Sequence, residues 1–414
     1  MSCPLTPEGG ILLRIRARVF SDIEDAKRQI AAIGVELEAI AIMGPKAIHL
    51  NLIVESVRPP VAIIIKESML AAGADAAIHR NCITNTIEKA DVLIMATRKQ
   101  LRHATQNLKM QAFGIPEMAV EMIKVADNIY KLPPPWKLPD GTDFSFERTR
   151  IMGILNVTPD SFAGDGTGGD LDIAVERAVE MEKSGADIID IGGESTRPGA
   201  EPVDEKKEIE RVVPVIRAVA DSINVPISID TRKASVARAA IEAGANIVND
   251  VSGLFDREMI DLCARERVPV IIMHMKGTPQ NMQDNPVYAD AVGEILRYLS
   301  NRVTDAIDAG IEEQQIAIDP GIGFGKRLED NLDVLRRLTE FKTLGRPIVI
   351  GASRKNFIGK ITGLPVEERL EGSVGAACAA AMNGANIIRC HDVKETKLAL
   401  QIVDAIKISN KPSV

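Results

Sequence analysis

The sequence predicts a (β/α)8 TIM barrel preceded by a small α/β or α+β domain. After about residue 149, short apolar runs alternate with longer amphipathic segments, and eight such pairs occupy the rest of the chain. This rhythm and size are typical of the barrel, and eight regular units make an open doubly wound sheet a weaker alternative. Residues 1–130 lack the rhythm, and the proline-rich stretch 131–148 is typical of an extended linker.

The N-terminal part, residues 1–130, mixes strand and helix patterns. Residues 11–20 alternate apolar and basic side chains, as in a half-exposed strand. Ser21, with Glu24 three residues later, predicts a capped helix that ends at Gly34. The remaining predictions are strands at 35–43 and 47–54, and helices at about 61–72, 86–96, 99–110 and 116–130.

The barrel part, residues 149–414, contains eight predicted strands, each followed by a helical pattern. The strands are predicted at 150–156, 186–191, 226–230, 246–250, 269–274, 315–319, 347–351 and 386–390. The helices are predicted at about 170–184, 203–222, 232–243, 256–266, 287–309, 328–342, 366–382 and 394–407.

Composition restricts the partners and the location. The chain has 414 residues and a formal net charge of −8, which argues against nucleic acid or an anionic membrane surface as the main partner. No apolar run approaches the length of a membrane span, and no signal peptide opens the sequence. Five scattered cysteines without a CxxC pair indicate a reducing cytoplasm rather than a disulfide framework or a zinc site.

Polar residues follow each of the eight predicted strands. In this fold the carboxyl ends of the strands meet at one face, where active sites lie. One such residue alone is usually a helix cap, but eight in register, with lysine, arginine and histidine among them, indicate a ligand site. They are Asn156, residues 192–199, residues 230–232, Asn249 with Asp250, His274, residues 319–326, residues 351–355 and residues 389–391.

The types of these residues indicate two different ligand groups. Asp230, Asn249 and Asp319 suit a planar heterocycle that offers several N–H donors. A second set, which suits an anion such as phosphate, consists of Arg197, Arg389 and His391.

Three further residues have open assignments. Asn156 offers a neutral oxygen to Mg²⁺, which keeps few protein ligands and completes its shell with water and phosphate. Lys355 could serve either ligand group. Phe324, among glycines, could stack on a flat ligand or fill the top of the barrel.

Five motifs closely resemble the signatures of the dihydropteroate synthase family. They are residues 152–162, 192–199, 319–326, 353–355 and 389–393. The resemblance covers the chain from about Arg150 to the C-terminus. The first 140 residues lie outside the family pattern and look like an extension of some archaeal homologues.

The resemblance implies a (β/α)8 fold and a transferase of folate biosynthesis. The enzyme would join 6-hydroxymethyl-7,8-dihydropterin pyrophosphate to the arylamine 4-aminobenzoate, giving 7,8-dihydropteroate and pyrophosphate. It implies a pterin site of Asp230, Asn249, Asp319 and Lys355, and a pyrophosphate site of Asn156, Arg197, Arg389 and His391, with Mg²⁺ at Asn156. The implied arylamine site is Phe162, Thr196, Arg197, Pro198, Phe324 and Ser353, and the implied catalytic residues are Lys355, Arg197, Arg389 and His391. We also expect a cytoplasmic homodimer.

This chemistry needs no strong general base, because an arylamine is already neutral at pH 7. We therefore expect a dissociative mechanism, in which the protein positions the reactants and stabilises the charge of the departing pyrophosphate.

One departure from the family concerns the first loop. Asp165 lies one residue away from the position of the family's acidic residue, and it could be a solvated loop residue. Glu194 is expected to be a structural partner, and His274 to form part of the pocket wall.

Three alternatives remain open from the sequence. A pterin-dependent methyltransferase with a corrinoid partner shares the barrel and its carboxylates, although the cationic residues favour pyrophosphate chemistry. The second alternative is not an enzyme but a pterin-binding or scaffold protein whose N-terminal domain is the working part. The third is a change of acceptor, in which a ribosylated arylamine replaces 4-aminobenzoate in the synthesis of a methanopterin-type cofactor.

Overall fold

The computed structural model describes residues 16–157, 169–194, 203–282 and 284–408. The chain divides into two compact units, Met1–Tyr130 and Lys131–Val414. Within the described residues, no helix is both long and apolar enough to cross a membrane.

The N-terminal unit is a three-stranded antiparallel sheet with helices. Its elements are α1 (Ile23–Ala32), α2 (Leu37–Met43), β1 (His49–Val57), α3 (Pro59–Ala71), β2 (Asp75–Ile78), β3 (Ala90–Thr97), α4 (Arg98–Leu108) and α5 (Ile115–Asn128). The strand order is β1-β3-β2, so β3 is central. Alternate residues of β3 are buried, and together with apolar residues of α3, α4 and α5 they form the core of this unit.

Several sequence predictions for this unit are wrong. The strand predicted at 35–43 is the helix α2, because its Leu, Glu, Ala and Met residues are good helix formers. Most of the helix predicted at 86–96 is the strand β3, where pairing on both sides overrides the local pattern. The strand β2 was not predicted. Of the strand predicted at 11–20, residues 11–15 lie outside the described residues and residues 16–20 have no regular structure.

The N-terminal helix cap also differs from the prediction. Helix α1 is capped by Asp22, whose side chain accepts a hydrogen bond from the Asp25 amide at 2.8 Å, so the cap lies one residue after the predicted Ser21. A capping box does occur at α4, where the Thr97 amide donates to the Gln100 side chain at 2.8 Å.

The second unit confirms the predicted (β/α)8 barrel. Its parallel strands are β6 (Arg150–Asn156), β7 (Ile188–Gly192), β8 (Ile227–Asp230), β9 (Ile247–Asp250), β10 (Val270–Met273), β11 (Ile316–Asp319), β12 (Val349–Ile350) and β13 (Ile387–Cys390). They follow the order β11-β10-β9-β8-β7-β6-β13-β12, and a parallel bridge between Ile318 and Ile348 closes the ring. All eight predicted strands are therefore present, shifted by two residues at most.

Helices surround the closed sheet. They are α6 (Gly169–Lys183), α7 (Glu205–Ala220), α8 (Ala234–Glu242), α9 (Arg257–Glu266), α10 (Ala291–Asp308), α11 (Leu328–Arg336), α12 (Asn356–Thr362), α13 (Leu370–Met382) and α14 (Val393–Ile408). Each predicted helical segment overlaps one of these helices, and α12 is an addition after β12. Their apolar residues pack against the outer face of the strands in one large core.

The inner face of the barrel changes from apolar to polar along four of the strands, β7, β9, β11 and β13. Because side chains alternate across a strand, every second residue points into the barrel. The lower inner positions are apolar on most strands and include Met152, Ile188, Ile247, Ile271, Ala317, Val349 and Ile387. Two residues further on, Ile188 is followed by Asp190, Ile247 by Asn249, Ala317 by Asp319 and Ile387 by Arg389.

A short hairpin packs against the lower inner layer. The strands β4 (Trp136–Lys137) and β5 (Asp143–Phe144) pair within the proline-rich stretch, where no sequence pattern predicted structure. Trp136 is fully buried, and its ring lies 5.8 Å from that of Phe144 and 5.3 Å from that of Phe146. These aromatic rings belong to the same cluster as the lower layer, so the hairpin closes the barrel at the amino ends of its strands.

Candidate active site

The polar inner residues gather at the carboxyl ends of the strands. Asp230, Asn249 and Asp319 each end or nearly end a strand, and all three are buried. Gly192 lies between Asn156 and Asp230 in the sheet register. A side chain at Gly192 would lie 3.5 Å from the Cβ of Asp230 and 3.8 Å from the Oδ1 of Asn156, so glycine leaves open the space between these groups.

Arg389 is the centre of a buried ion-pair network. Its Nε donates to Asp190 Oδ2 at 2.6 Å, and its Nη2 donates to Asp230 Oδ2 at 2.7 Å. The Asn249 side-chain amide also donates to Asp190 Oδ2, at 3.2 Å. Four inner residues from four strands are therefore linked directly, and three of them, Asp230, Asn249 and Arg389, were predicted site residues.

Burial shifts the acid–base behaviour of this network. The loss of solvation raises the pKa of Asp230 to about 7. The positive charge of Arg389 lowers this pKa, whereas the negative charge of Asp190 raises it further. The pKa of Asp319 is also raised, chiefly by burial. Burial of the Lys355 ammonium, with Arg389 nearby, lowers its pKa to about 8. Groups that titrate near neutral pH in a cleft are typical of functional sites.

The loop from Asp319 to Lys326 is folded tightly beside the site. Gly321 has a φ of +71°, and a Cβ there would lie 1.9 Å from the carbonyl oxygen of His274, so only glycine fits. The buried Lys326 Nζ donates to the carbonyl oxygens of Gly321 at 2.8 Å and Phe324 at 3.0 Å. Lys326 therefore holds this loop in place, a role that the sequence motif did not reveal.

His274, which was expected in the pocket wall, is buried beside the loop from Asp319 to Lys326. Its Nδ1 lies 2.9 Å from Lys326 Nζ, and its ring packs edge-on to that of Tyr298 at 4.8 Å. Burial and the neighbouring Lys326 charge lower its pKa to about 2. Its surroundings therefore favour the neutral form of the imidazole.

Two pairs of predicted site residues are in contact. The Lys355 Nζ lies 3.9 Å from the centroid of the Phe324 ring, in a cation–π arrangement. Phe324 itself is buried among Val251, Met273 and Met282. Just after the ends of β12 and β13, the Ser353 hydroxyl lies 3.0 Å from His391 Nδ1, so a residue expected at the arylamine site and one expected at the pyrophosphate site share a hydrogen bond.

Glu194 is a structural partner, as expected. It accepts hydrogen bonds from Arg232 at 3.1 Å and from Lys233. Lys233 also pairs with Glu208, which is fully buried and accepts from the Thr231 hydroxyl at 2.8 Å. This network fixes the start of the loop after β7 to the loop after β8.

Asn156 is the residue expected to hold Mg²⁺. It is half-buried at the end of β6, and its Oδ1 faces the open space beside Gly192. Within the described ranges, no group of three or more His, Cys, Asp or Glu residues could hold a metal ion. One neutral oxygen fits Mg²⁺ only where water and substrate phosphates supply the other ligands.

Five residues discussed from the sequence lie outside the described residues. They are Phe162, Asp165, Thr196, Arg197 and Pro198. The structure therefore describes the pterin set completely, and the arylamine and pyrophosphate sets in part.

Asp190 is the main residue that the sequence analysis missed. It lies in the middle of β7, is fully buried, and contacts both Arg389 and Asn249. A signal was present, because an aspartate interrupts the otherwise apolar run from Ile188 to Ile191. A charged residue inside a buried strand needs a partner, and here the partner belongs to the site.

Comparisons with known proteins agree on one family. A family model described as pterin binding enzyme matches residues 152–391. The chain is 47% identical to the dihydropteroate synthase of Synechocystis over 278 residues, which cover 66% of this chain and 96% of that protein. Its structure resembles that of Xanthomonas albilineans dihydropteroate synthase with 4-aminobenzoic acid, with a TM-score of 0.63 and 43% identity over 66% of this chain and 98% of the other.

One relative also matches the N-terminal unit. The probable bifunctional folylpolyglutamate synthase/dihydropteroate synthase of Halobacterium salinarum is 36% identical over 385 residues. The match covers 93% of this chain and 46% of that protein, so it includes most of the N-terminal unit as well as the barrel. This agrees with the expected resemblance to an archaeal extension.

Proposed function

The chain belongs to the pterin-binding enzyme family, and on this basis we propose that its barrel catalyses the dihydropteroate synthase reaction. In that reaction, 6-hydroxymethyl-7,8-dihydropterin pyrophosphate condenses with 4-aminobenzoate to give 7,8-dihydropteroate and pyrophosphate. The observation that carries the proposal is the contact between Arg389 and Asp230. It places a carboxylate suited to a pterin next to a guanidinium suited to pyrophosphate, so that one substrate carrying both groups can reach both.

The pterin ring is bound by the acidic side of the site. Asp230, Asp319 and the oxygen of Asn249 accept hydrogen bonds from the ring N–H groups, and Lys355 donates to the ring carbonyl. The buried position of the three acceptors supports this role, because water competes poorly for them. The Phe324 ring and the methionines around it supply an apolar wall for a flat ligand.

The pyrophosphate is bound by the basic side. Arg389, His391 and Arg197 neutralise its charge, and Asn156 would contribute one oxygen ligand to Mg²⁺. Bound Mg²⁺ would stabilise negative charge on the leaving pyrophosphate. The half-exposed position of Asn156 at the mouth supports this assignment, since the remaining ligands would come from water and the substrate.

The arylamine site includes Phe324 and Ser353, and it is assigned four more residues that lie outside the described ranges, Phe162, Thr196, Arg197 and Pro198. The C–O bond at the pterin methylene breaks first, and its electrons leave with pyrophosphate while the pterin ring delocalises the cation. The amine lone pair then forms the C–N bond, and the surplus proton passes to solvent. Positional isotope exchange within the pyrophosphate group, in the absence of any arylamine, tests this order.

The activity itself is tested by mixing the protein with the pterin pyrophosphate and 4-aminobenzoate. We expect release of pyrophosphate in equal amount with 7,8-dihydropteroate. A methyltransferase would instead consume a methylated pterin in the presence of a corrinoid protein and release no pyrophosphate. Replacing 4-aminobenzoate with the ribosylated arylamine in a parallel assay distinguishes the acceptors, and we expect higher kcat/KM for 4-aminobenzoate.

Pterin affinity is predicted to depend on pH in a bell-shaped manner. An ionised Asp230 accepts two N–H bonds, so affinity falls below pH about 7, by at most about tenfold per unit. A charged Lys355 donates to the ring, so affinity also falls above pH about 8. The dissociation constant of 6-hydroxymethylpterin, measured by calorimetry between pH 6 and 9, checks this.

Two variants separate the limbs of that profile. Asp230→Asn is expected to bind more weakly and to lose the acid limb. Lys355→Arg keeps a cation at every pH in this range and is expected to lose the alkaline limb. A profile that is flat in the unmodified protein contradicts the assignment of both groups.

A homodimer is also proposed, through the last two helices. Met382 of α13 and Leu398 and Ile402 of α14 are large apolar side chains, each more than half exposed. Leu398 and Ile402 are four residues apart on one helix face, and α13 packs beside α14. Such a patch is typical of an interface.

A cytoplasmic location is proposed as well. It is supported by the free cysteines Cys82, Cys263, Cys378 and Cys390.

Charge placed on this patch is predicted to produce monomers. In a homodimer, Leu398→Glu with Ile402→Glu buries two carboxylates from each subunit if the interface forms, so the dissociation constant of the dimer should rise at least about a hundredfold. Sedimentation velocity of the full chain measures it. The control is Leu332→Glu, an exposed leucine on α11, which should leave the oligomeric state unchanged.

A further inference from the structure

Asp190 lies one layer below the mouth of the site. It belongs to the middle of β7, two residues before Gly192, and is fully buried. One of its carboxylate oxygens, Oδ2, accepts from Arg389 Nε at 2.6 Å and from Asn249 Nδ2 at 3.2 Å. The same atom therefore contacts one residue of the pyrophosphate set and one residue of the pterin set.

We propose that Asp190 is a positioning residue that fixes Arg389 and Asn249 for the reaction. This inference rests on the proposed function. Arg389 carries five N–H donors in a planar fork, and fixing the Nε side sets the direction of the other donors. The bond from Asn249 likewise sets which side of its amide faces the pterin, because the amide nitrogen is engaged and the carbonyl oxygen is left for the ligand.

The two carboxylates around Arg389 have different roles. Asp230 ends its strand at the mouth, where a pterin ring can take over its hydrogen bonds. Asp190 is deeper and inaccessible, so a substrate can replace the Asp230 contact of Arg389 but not the Asp190 contact. Arg389 thus keeps its Nε hydrogen bond to Asp190 throughout, while its Nη2 exchanges the hydrogen bond to Asp230 for one to the pyrophosphate.

Stability alone does not explain Asp190. Its second oxygen, Oδ1, is buried and has no hydrogen-bond partner among the residues that the structure describes. A buried carboxylate with one unsatisfied oxygen is costly, and an apolar residue at this strand position would pack without that cost. An aspartate that costs stability yet orients two site residues is best explained by its effect on the site.

The decisive experiment is a double-mutant cycle between Asp190 and Arg389 in the full-length protein. Asp190→Asn keeps the size and removes the charge. It should raise the KM for the pterin pyrophosphate and lower kcat. Together these changes should lower kcat/KM by roughly 10- to 100-fold. The KM for 4-aminobenzoate at saturating pterin pyrophosphate should change less than twofold. In an Arg389→Lys background, which lacks the Nε donor, Asp190→Asn should have little further effect.

Ser228→Ala is the matched control. Ser228 is the register partner of Asp190 on β8, is equally buried, and its hydroxyl has no partner among the described residues. Its loss should leave the kinetics unchanged. Thermal unfolding of each variant shows whether it folds. If Asp190→Asn does not fold, Asp190→Ser replaces it in the same double-mutant cycle, because the smaller side chain leaves room for a water molecule next to Arg389.

The outcomes separate the two levels of the proposal. If the unmodified protein releases no pyrophosphate, the proposed function fails. If it does, but Asp190→Asn folds and keeps kcat/KM within twofold, the inference on Asp190 is overturned. It is also overturned if the losses from Asp190→Asn and Arg389→Lys multiply in full, because the two residues then act independently.

Discussion

Replacing Arg389 with methionine is expected to lower kcat/KM at least about a thousandfold and to destabilise the fold by about 3–5 kcal/mol. The loss of activity follows from the loss of the main cation at the pyrophosphate end. The loss of stability follows because Asp190 and Asp230, both buried, lose the counter-ion that contacts them. Steady-state kinetics and urea unfolding of the same preparation measure the two effects.

This destabilisation is expected to depend on pH. Arg389 lowers the pKa of Asp230, so its removal raises that pKa further above the value in the unfolded chain. A carboxyl whose pKa is raised by folding favours the folded state at low pH and loses that contribution as pH rises through the folded pKa. The difference in unfolding free energy between the methionine variant and the unmodified protein should therefore be larger at pH 8 than at pH 5.5.

Arg389→Lys separates charge from geometry. A lysine restores a positive charge near the two carboxylates, so most of the lost stability should return. The planar fork does not return, and activity should stay roughly a hundredfold below that of the unmodified protein. If the lysine variant is as active as the original, the orientation of Arg389 is unimportant and charge alone explains its role.

The sequence located most of the mouth of the site because of one geometric rule. Parallel strands of a barrel end at one face, so residues as distant in sequence as Asp230 and Arg389 could be assigned to one site without any contact information. The rule does not say which residues are in contact. Residue type and the family resemblance assigned Arg389 to the pyrophosphate set, and the structure adds that two carboxylates contact it.

Asp190 was missed because that rule does not apply to it. It lies inside a strand rather than at a strand end. In the N-terminal unit the errors have another cause. The run from Ala90 to Thr97 is apolar at nearly every position, so its period is hidden, and its pairing with β1 and β2 decides that it is a strand.

Trp136→Ala is expected to destabilise the second unit by about 3–5 kcal/mol. The indole ring is fully buried against Phe144, Phe146 and the lower inner layer of the barrel, and its removal leaves a cavity that the closed sheet cannot collapse to fill. Activity per folded molecule should be unchanged, because the hairpin lies at the opposite end of the barrel from Asp230. Urea unfolding and kinetics well below the transition check both statements.

Trp136→Phe is the matched control for size. The indole nitrogen has no hydrogen-bond partner among the described residues, so replacing the indole with a phenyl ring removes volume but no polar contact. The substitution should cost less than about 2 kcal/mol of unfolding free energy.

Truncation of the chain tests the hairpin as a whole. A chain that begins at Lys131 keeps the hairpin, whereas one that begins at Ser145 exposes the lower inner layer and should unfold at a lower urea concentration. If both truncated chains are equally stable, the hairpin does not close the barrel energetically, and the proline-rich stretch is a linker after all.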